Sequence, residues 1–158
     1  MMTKDQQRFD ADPAPTVFRH SFQSGELAVR KALAQVLDSL RPLKLAVEET
    51  GTVELVMAEV LNNIVEHAYS DRSEGGPVEI QYVAKPDGLN VCISDNGNMM
   101  PDGKLPTGTL ASLEVDMPDL PEGGFGWFLI QHLAKDVTYQ RVGKRNVLQM
   151  RIAVGMDH

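Results

Sequence analysis

Glu59, Asn63 and His67 stand at i, i+4 and i+8 in the run ELVMAEVLNNIVEHAY, residues 54–69. At about 100° per residue, each step of four advances a helix by roughly 40°, so a carboxylate, a carboxamide and an imidazole project as one line. Such a line is either a solvated face or a site. Asn is a poor helix former, and each member of Asn62-Asn63 costs roughly half a kcal/mol relative to Ala. That cost argues that at least one is kept for its side chain. Two further stretches carry signals of the same weight. Asp95-Asn96-Gly97 closes an apolar run. It reads either as a plain turn or as a carboxylate at a strand end. Such a carboxylate can accept a hydrogen bond from the exocyclic amine of adenine, with Gly97 letting the backbone approach the ring. Gly123-Gly124-Phe125-Gly126 leads into the apolar segment Trp127–Ala134. It is either a flexible loop end or a helix entry that offers free N–H groups and the positive end of the dipole to phosphate. It lacks the lysine of a Walker A loop and does not follow a strand as a dinucleotide fingerprint does.

The elements that must position these residues are legible from periodicity. Glu54–Tyr69 contains no Gly or Pro; Val56, Val60 and Ile64 repeat every four residues, and Leu61, Val65 and Ala68 widen the stripe, which predicts an amphipathic helix. Ahead of it, residues 1–15 read as a flexible arm, and residues 16–158 as one domain. Thr16–Phe22 reads as an edge strand. Ser24 is placed to cap a helix over Gly25–Leu40 that Pro42 ends. Leu43–Glu49 is short and compatible with helix, and Gly51-Thr52 precedes the central helix. After a polar loop at Asp71–Pro77, strands Val78–Lys85 and Leu89–Ser94 are joined by Pro86-Asp87-Gly88, where Pro presets φ and Gly supplies φ > 0. Pro101–Glu122 is a long connection of the kind that is usually a lid or disordered. The Trp127–Ala134 helix and strands Val137–Arg141 and Val147–Val154 complete the chain. Strand, two helices, hairpin, helix, hairpin is not a strict alternation. The order predicts an α+β, two-layer α/β sandwich with a mixed, mostly antiparallel sheet and helices on one face.

Composition narrows the partners. The chain has 158 residues and a net charge of −7 with scattered Lys and Arg, which argues against nucleic acid and anionic membranes as main partners. A single cysteine, Cys92, excludes an internal disulfide and a cysteine-based zinc cluster. It lies in an apolar run and reads as core. No apolar segment reaches 18 residues and residues 1–12 are polar, so a cytoplasmic location is the default expectation.

Taken in order, Glu59-x-x-x-Asn63, Asp95-x-Gly97 and Gly124-x-Gly126 resemble the N, G1 and G2 boxes of the ATPase superfamily of gyrase, the Hsp-ninety class of chaperones, histidine kinases and mismatch-repair MutL. AEVLNNIVEHAY and GGFGWFLIQHLAKDVTYQ look most like the anti-sigma-factor serine kinases of bacterial partner switching, and RNVLQMRI is similar to their last strand. The resemblance spans roughly residues 16–154. It implies the histidine-kinase-like (Bergerat) fold with an ATP lid at about 98–123, and ATP and Mg²⁺ as cofactors. It implies Asn63 as Mg²⁺ ligand, Glu59 as the general base toward a partner's serine, Asp95 as adenine reader with Gly97 as its spacing partner, and Gly124 and Gly126 as the phosphate-side hinge of the lid. His67 matches a position near the nucleotide pocket. Trp127 and Phe125 read as core rather than as adenine stackers. The implied partners are a sigma factor and a STAS-domain anti-anti-sigma protein, with homodimerisation left open. Two departures stand out. Asn98 replaces the usual second glycine of the G1 box. The 101–122 connection carries Asp102, Glu114, Asp116, Asp119 and Glu122 against Lys104 alone. A nucleotide-gated binding module that transfers no phosphate is therefore the second reading.

Overall fold

A computed structural model of the chain describes residues 16–71, 75–100 and 124–155. Two sequence-adjacent hairpins set its topology. Strand β2 (Pro77–Lys85) turns at Pro86-Asp87 into β3 (Gly88–Asp95), and β4 (Lys135–Val142) turns at Gly143-Lys144 into β5 (Arg145–Ile152). With β1 (Thr16–Gln23) on one edge, the sheet order is β1-β2-β3-β5-β4. The return strand β5, not β4, takes the seat beside β3, so each described pairing is antiparallel. The expected α+β sandwich is present, and its sheet is antiparallel throughout these pairings rather than mixed. The glycines at the turns are needed: Gly143 has φ +62°, and Gly88, at φ +130°, would bring a Cβ to 2.3 Å from the Ile152 carbonyl oxygen.

Alternation along the strands puts Val78, Ile80 and Tyr82, then Leu89, Val91 and Ile93, then Leu148, Met150 and Ile152 on one buried face. Three helices cover that face. In α1 (Glu26–Leu40), Val29, Ala32, Val36 and Leu40 are buried at helical spacing. In α2 (Val47–Asn63), Val53, Val56, Met57, Val60 and Leu61 are buried. In α3 (Gly124–Leu133), Trp127 and Ile130 join the same core. The intervening strand residues Gln81, Asn90 and Gln149 stay at least partly exposed. Cys92 is in phase with these, so it lies on the outer face, partly exposed, and not in the core as its apolar neighbours suggested.

Three local expectations change. The central helix starts at Val47, and Gly51-Thr52 lies inside it. An internal Gly costs about 1 kcal/mol. A built N-terminus offsets it: Glu48 and Glu49 sit in the first turn, and Glu49 Oε1 accepts the Ala46 N–H at 2.9 Å. Glu49 Oε2 also takes the N–H of Gly155, tying the end of the described chain to the start of α2. Ser24 does not cap α1. Its N–H donates to the Gly76 carbonyl at 2.8 Å and its Oγ accepts the Gly76 N–H at 3.1 Å, clamping the loop before β2. The last hairpin is tighter than expected, which draws Arg145 and Asn146 into β5. The arm at 1–15, the connection at 101–122 and all but the first three residues of the lid at 98–123 lie outside the described residues.

Candidate functional site

Helix α2 carries Glu59 and Asn63 one turn apart, beside its core stripe rather than on the exposed face of Glu54, Leu55 and Asn62. Asn63 is only 7% exposed, so its amide must be satisfied or turned to an opening. Its Nδ2 donates to the Glu59 carbonyl oxygen at 2.7 Å. A carbonyl can only accept, so the nitrogen is committed to it and the side-chain oxygen is turned the other way. Among the described residues nothing donates to Asn63 Oδ1. The Glu59 side chain is half-buried. After Asn63 the helix widens into a π turn, Ile64–Ala68, a feature common at functional sites. The roughly 40° progression therefore ends at Asn63. His67 emerges on the solvent side: its side chain is 63% exposed, with Nε2 3.9 Å from Glu66 Oε2.

The other candidate carboxylate is built by strands. Asp95 ends β3 on the buried face, 7% exposed. Its Oδ1 accepts two hydrogen bonds, from Gly97 N–H at 2.9 Å and from Asn146 Nδ2 at 2.7 Å. No described residue donates to Oδ2. Burial pushes the carboxyl above its ordinary pKa, opposed by the Asn146 and Gly97 hydrogen bonds and by the Arg141 guanidinium. Gly97 is required by close approach: a Cβ there would stand 2.3 Å from the Ala68 carbonyl oxygen. That same carbonyl accepts the Asn98 N–H at 2.7 Å. The loop after β3 thus rests on the end of the π turn, and Asn98 needs no left-handed backbone to do so. Tyr69 adds a second clamp, its hydroxyl accepting the Asn96 N–H at 2.7 Å and donating to the Pro77 carbonyl at 2.6 Å.

Gly124 and Gly126 both fall in the first turn of α3, where the N–H groups have no partner one turn back. Helix α3 packs on α2, and Trp127 is buried at 4% exposure, as a core residue rather than a stacking platform. The structure therefore joins Asp95 to Gly97 directly, and sets Glu59 beside Asn63. The π turn links these two groups through the Ala68 carbonyl, and His67 is sent outward. Among the described residues no cluster of three His, Cys, Asp or Glu forms a ready metal cage. A hard cation at Asn63 Oδ1 would take its remaining oxygens from phosphate and water, the usual habit of Mg²⁺.

Three residues of this site escaped the sequence reading: Asn146 on β5, and Tyr139 and Arg141 on β4. For Asn146 a signal was present. Asn146, Leu148, Met150 and Ile152 share one strand face, so a polar residue is in phase with three apolar ones. The reach of Tyr139 and Arg141 to it had no signal at all.

A family model described as the histidine kinase-like ATPase domain matches residues 22–152. Serine-protein kinase RsbW of Oceanobacillus iheyensis is 34% identical over 92 residues, which is 57% of this chain and 57% of that protein. Serine-protein kinase RsbW of Staphylococcus aureus is 30% identical over 93 residues, 58% of each. The chain's match thus spans less than two thirds of the length of these curated relatives. Among solved structures, the RsbU and RsbW domains of a Mycobacterium tuberculosis protein superpose with a TM-score of 0.58 at 13% identity, covering 88% of this chain and 32% of that one. That likeness is one of fold.

Proposed function

The chain belongs to the histidine kinase-like ATPase domain family, and from that premise we propose that it is an ATP-dependent protein serine kinase of the anti-sigma type. It binds a sigma factor and phosphorylates a serine of a STAS-domain partner, in the cytoplasm. The observation that carries this reading is the fixed amide of Asn63. With Nδ2 held by the Glu59 carbonyl, Oδ1 is the oxygen left for a cation, one helical turn from the Glu59 carboxylate. Mg²⁺ there would offset charge on the phosphates and orient them. Glu59 would hold the serine hydroxyl of the partner and accept its proton as the phosphoryl group transfers. Asp95 Oδ2 would accept the amine of adenine, and the first-turn N–H groups at Gly124 and Gly126 would meet the phosphates. The names of the relatives support the kinase reading. The acidic, arginine-free run at 101–122 favours a second one, a nucleotide-gated binding module.

Calorimetry and labelling test both. Wild type binds ATP with Mg²⁺-dependent affinity; Asn63→Ala keeps its fold and loses that dependence. Equal Mg²⁺-dependent binding in the variant removes Asn63 from the site. Incubation with γ-labelled ATP and a small STAS partner transfers label to a partner serine. Tight ATP binding with no label on any STAS partner selects the binding module instead.

A further inference from the structure

Asn146 is 4% exposed, and each polar atom of its side chain is used. Its Oδ1 accepts from the Tyr139 hydroxyl at 2.8 Å and from Arg141 Nη1 at 2.9 Å. Its Nδ2 reaches Asp95 Oδ1 at 2.7 Å, the Asn98 carbonyl at 3.0 Å and the Gly97 carbonyl at 3.2 Å. The direction of this chain is forced. Arg141 can only donate, so the amide oxygen faces it and the nitrogen faces the carboxylate. Tyr139 accepts the Met100 N–H at 2.9 Å, which leaves its own proton for Asn146. Arg141 Nη1 also holds the Gly97 carbonyl at 2.7 Å. One β4–β5 hairpin therefore grips the Asp95 carboxylate and the backbone of residues 97, 98 and 100, where the chain leaves the sheet.

We propose that Asn146 is the positioning residue for base recognition. Backed by Tyr139 and Arg141, it locks Asp95 and the 96–100 loop in one arrangement that leaves Asp95 Oδ2 as the acceptor for an adenine amine. This rests on the adenine-nucleotide reading above. Asn146 does not itself meet the phosphates; it acts through Asp95. The charged and titratable groups around that carboxylate are Arg141 and Tyr139 from β4 and Tyr69 from the end of the π turn. Arg145 and Glu79, 3.7 Å apart, lie on the opposite face of the sheet.

A pH series of ATP affinity in wild type, Asn146→Asp and Tyr139→Phe, each checked for folding by circular dichroism, decides it. In wild type, affinity falls as the pH is lowered, because a protonated Asp95 cannot accept from the amine. Asn146→Asp keeps shape and the bonds from Tyr139 and Arg141 but sets two carboxylates against each other at pH 7, and their repulsion makes the pair take up one shared proton at a higher pH than a lone carboxyl would. ATP affinity at pH 7 drops about tenfold, the scale of a lost hydrogen bond to a charged group. It recovers as the pH is lowered, because the introduced carboxyl then donates to Asp95. The slope is opposite to that of wild type, which a merely structural role does not produce. Tyr139→Phe, which removes the hydroxyl that backs Asn146 and accepts the Met100 N–H, weakens binding about threefold. A folded Asn146→Asp with the wild-type pH profile overturns the proposal. A wild type that binds no adenine nucleotide overturns the function itself.

Discussion

Asn63 and Asp95 are equally buried, each 7% exposed, but they are held in different ways. Among the described residues, the Asn63 side chain hydrogen-bonds to its own helix, four residues back. Asp95 is held by Asn146, 51 residues away, and by its own loop, which is in turn fixed by Tyr139, Arg141 and the Ala68 carbonyl. The proposed phosphate end is thus a local product of helix geometry, with the Asn63 amide turned by its own helix. The proposed base end is a converging product of two hairpins and a helix terminus. Substitutions should therefore separate. At the helix end they change chemistry and spare stability; at the strand end they touch both affinity and stability, in a direction set by the residue changed.

The largest expected effect tests the first half of that contrast. Glu59→Gln keeps size and hydrogen bonding but removes basicity. Transfer of phosphate to a STAS partner falls by about 10²-fold or more, while ATP affinity stays within about twofold and the melting temperature is unchanged. Rapid-quench assays and calorimetry on the same preparation measure both; an unchanged transfer rate takes Glu59 out of the chemistry.

Asp95→Asn is next and splits affinity from stability at the strand end. The new amide places a donor where the adenine amine also donates, costing about 2 kcal/mol, or roughly thirtyfold in ATP affinity. Binding shifts toward GTP, whose position-6 oxygen can accept. Stability moves the other way. Burial raises the Asp95 pKa in the folded state. The folded chain therefore holds that proton more tightly than the unfolded chain. Its contribution is most favourable below the ordinary value of 3.8 and is lost as the pH rises through the raised folded value. Asp95→Asn removes that loss, so the variant is at least as stable as wild type at pH 7. Urea unfolding at pH 4 and pH 7 checks the sign. A variant markedly less stable at pH 7 would mean that the carboxylate is a net structural asset.

Gly97→Ala is the smallest of the three. A Cβ 2.3 Å from the Ala68 carbonyl cannot be met by rotating a side chain, since the obstacle is backbone. The loop must lift from the π turn, costing about 1–2 kcal/mol of stability and a few-fold in ATP affinity. If both quantities match wild type, the two ends of the site are not coupled through the π turn.

What the sequence determined by itself was what depends on near neighbours. The α2 stripe, the Pro86-Asp87 turn with Gly88, the edge position of β1 and the Glu59–Asn63 spacing follow from periods of 3.6 and 2 and from backbone-permissive residues. The outward placement of Cys92 was also written there, in the alternation of Leu89, Val91 and Ile93 with Asn90, Cys92 and Ser94, although its apolar type masked it. Tertiary structure alone decided the rest. Gly51 stays helical because Glu49 caps the segment. Ser24 serves a loop 52 residues away instead of its own helix. His67 turns to solvent where the helix widens. Gly97 answers to a carbonyl 29 residues earlier, and Asn146 completes the Asp95 pocket from a strand whose seat beside β3 is fixed by sheet order. Each of these is a hydrogen bond or a close approach between segments far apart in the chain. Local propensity carries no term for such contacts, and they exist only once the core has brought the segments together.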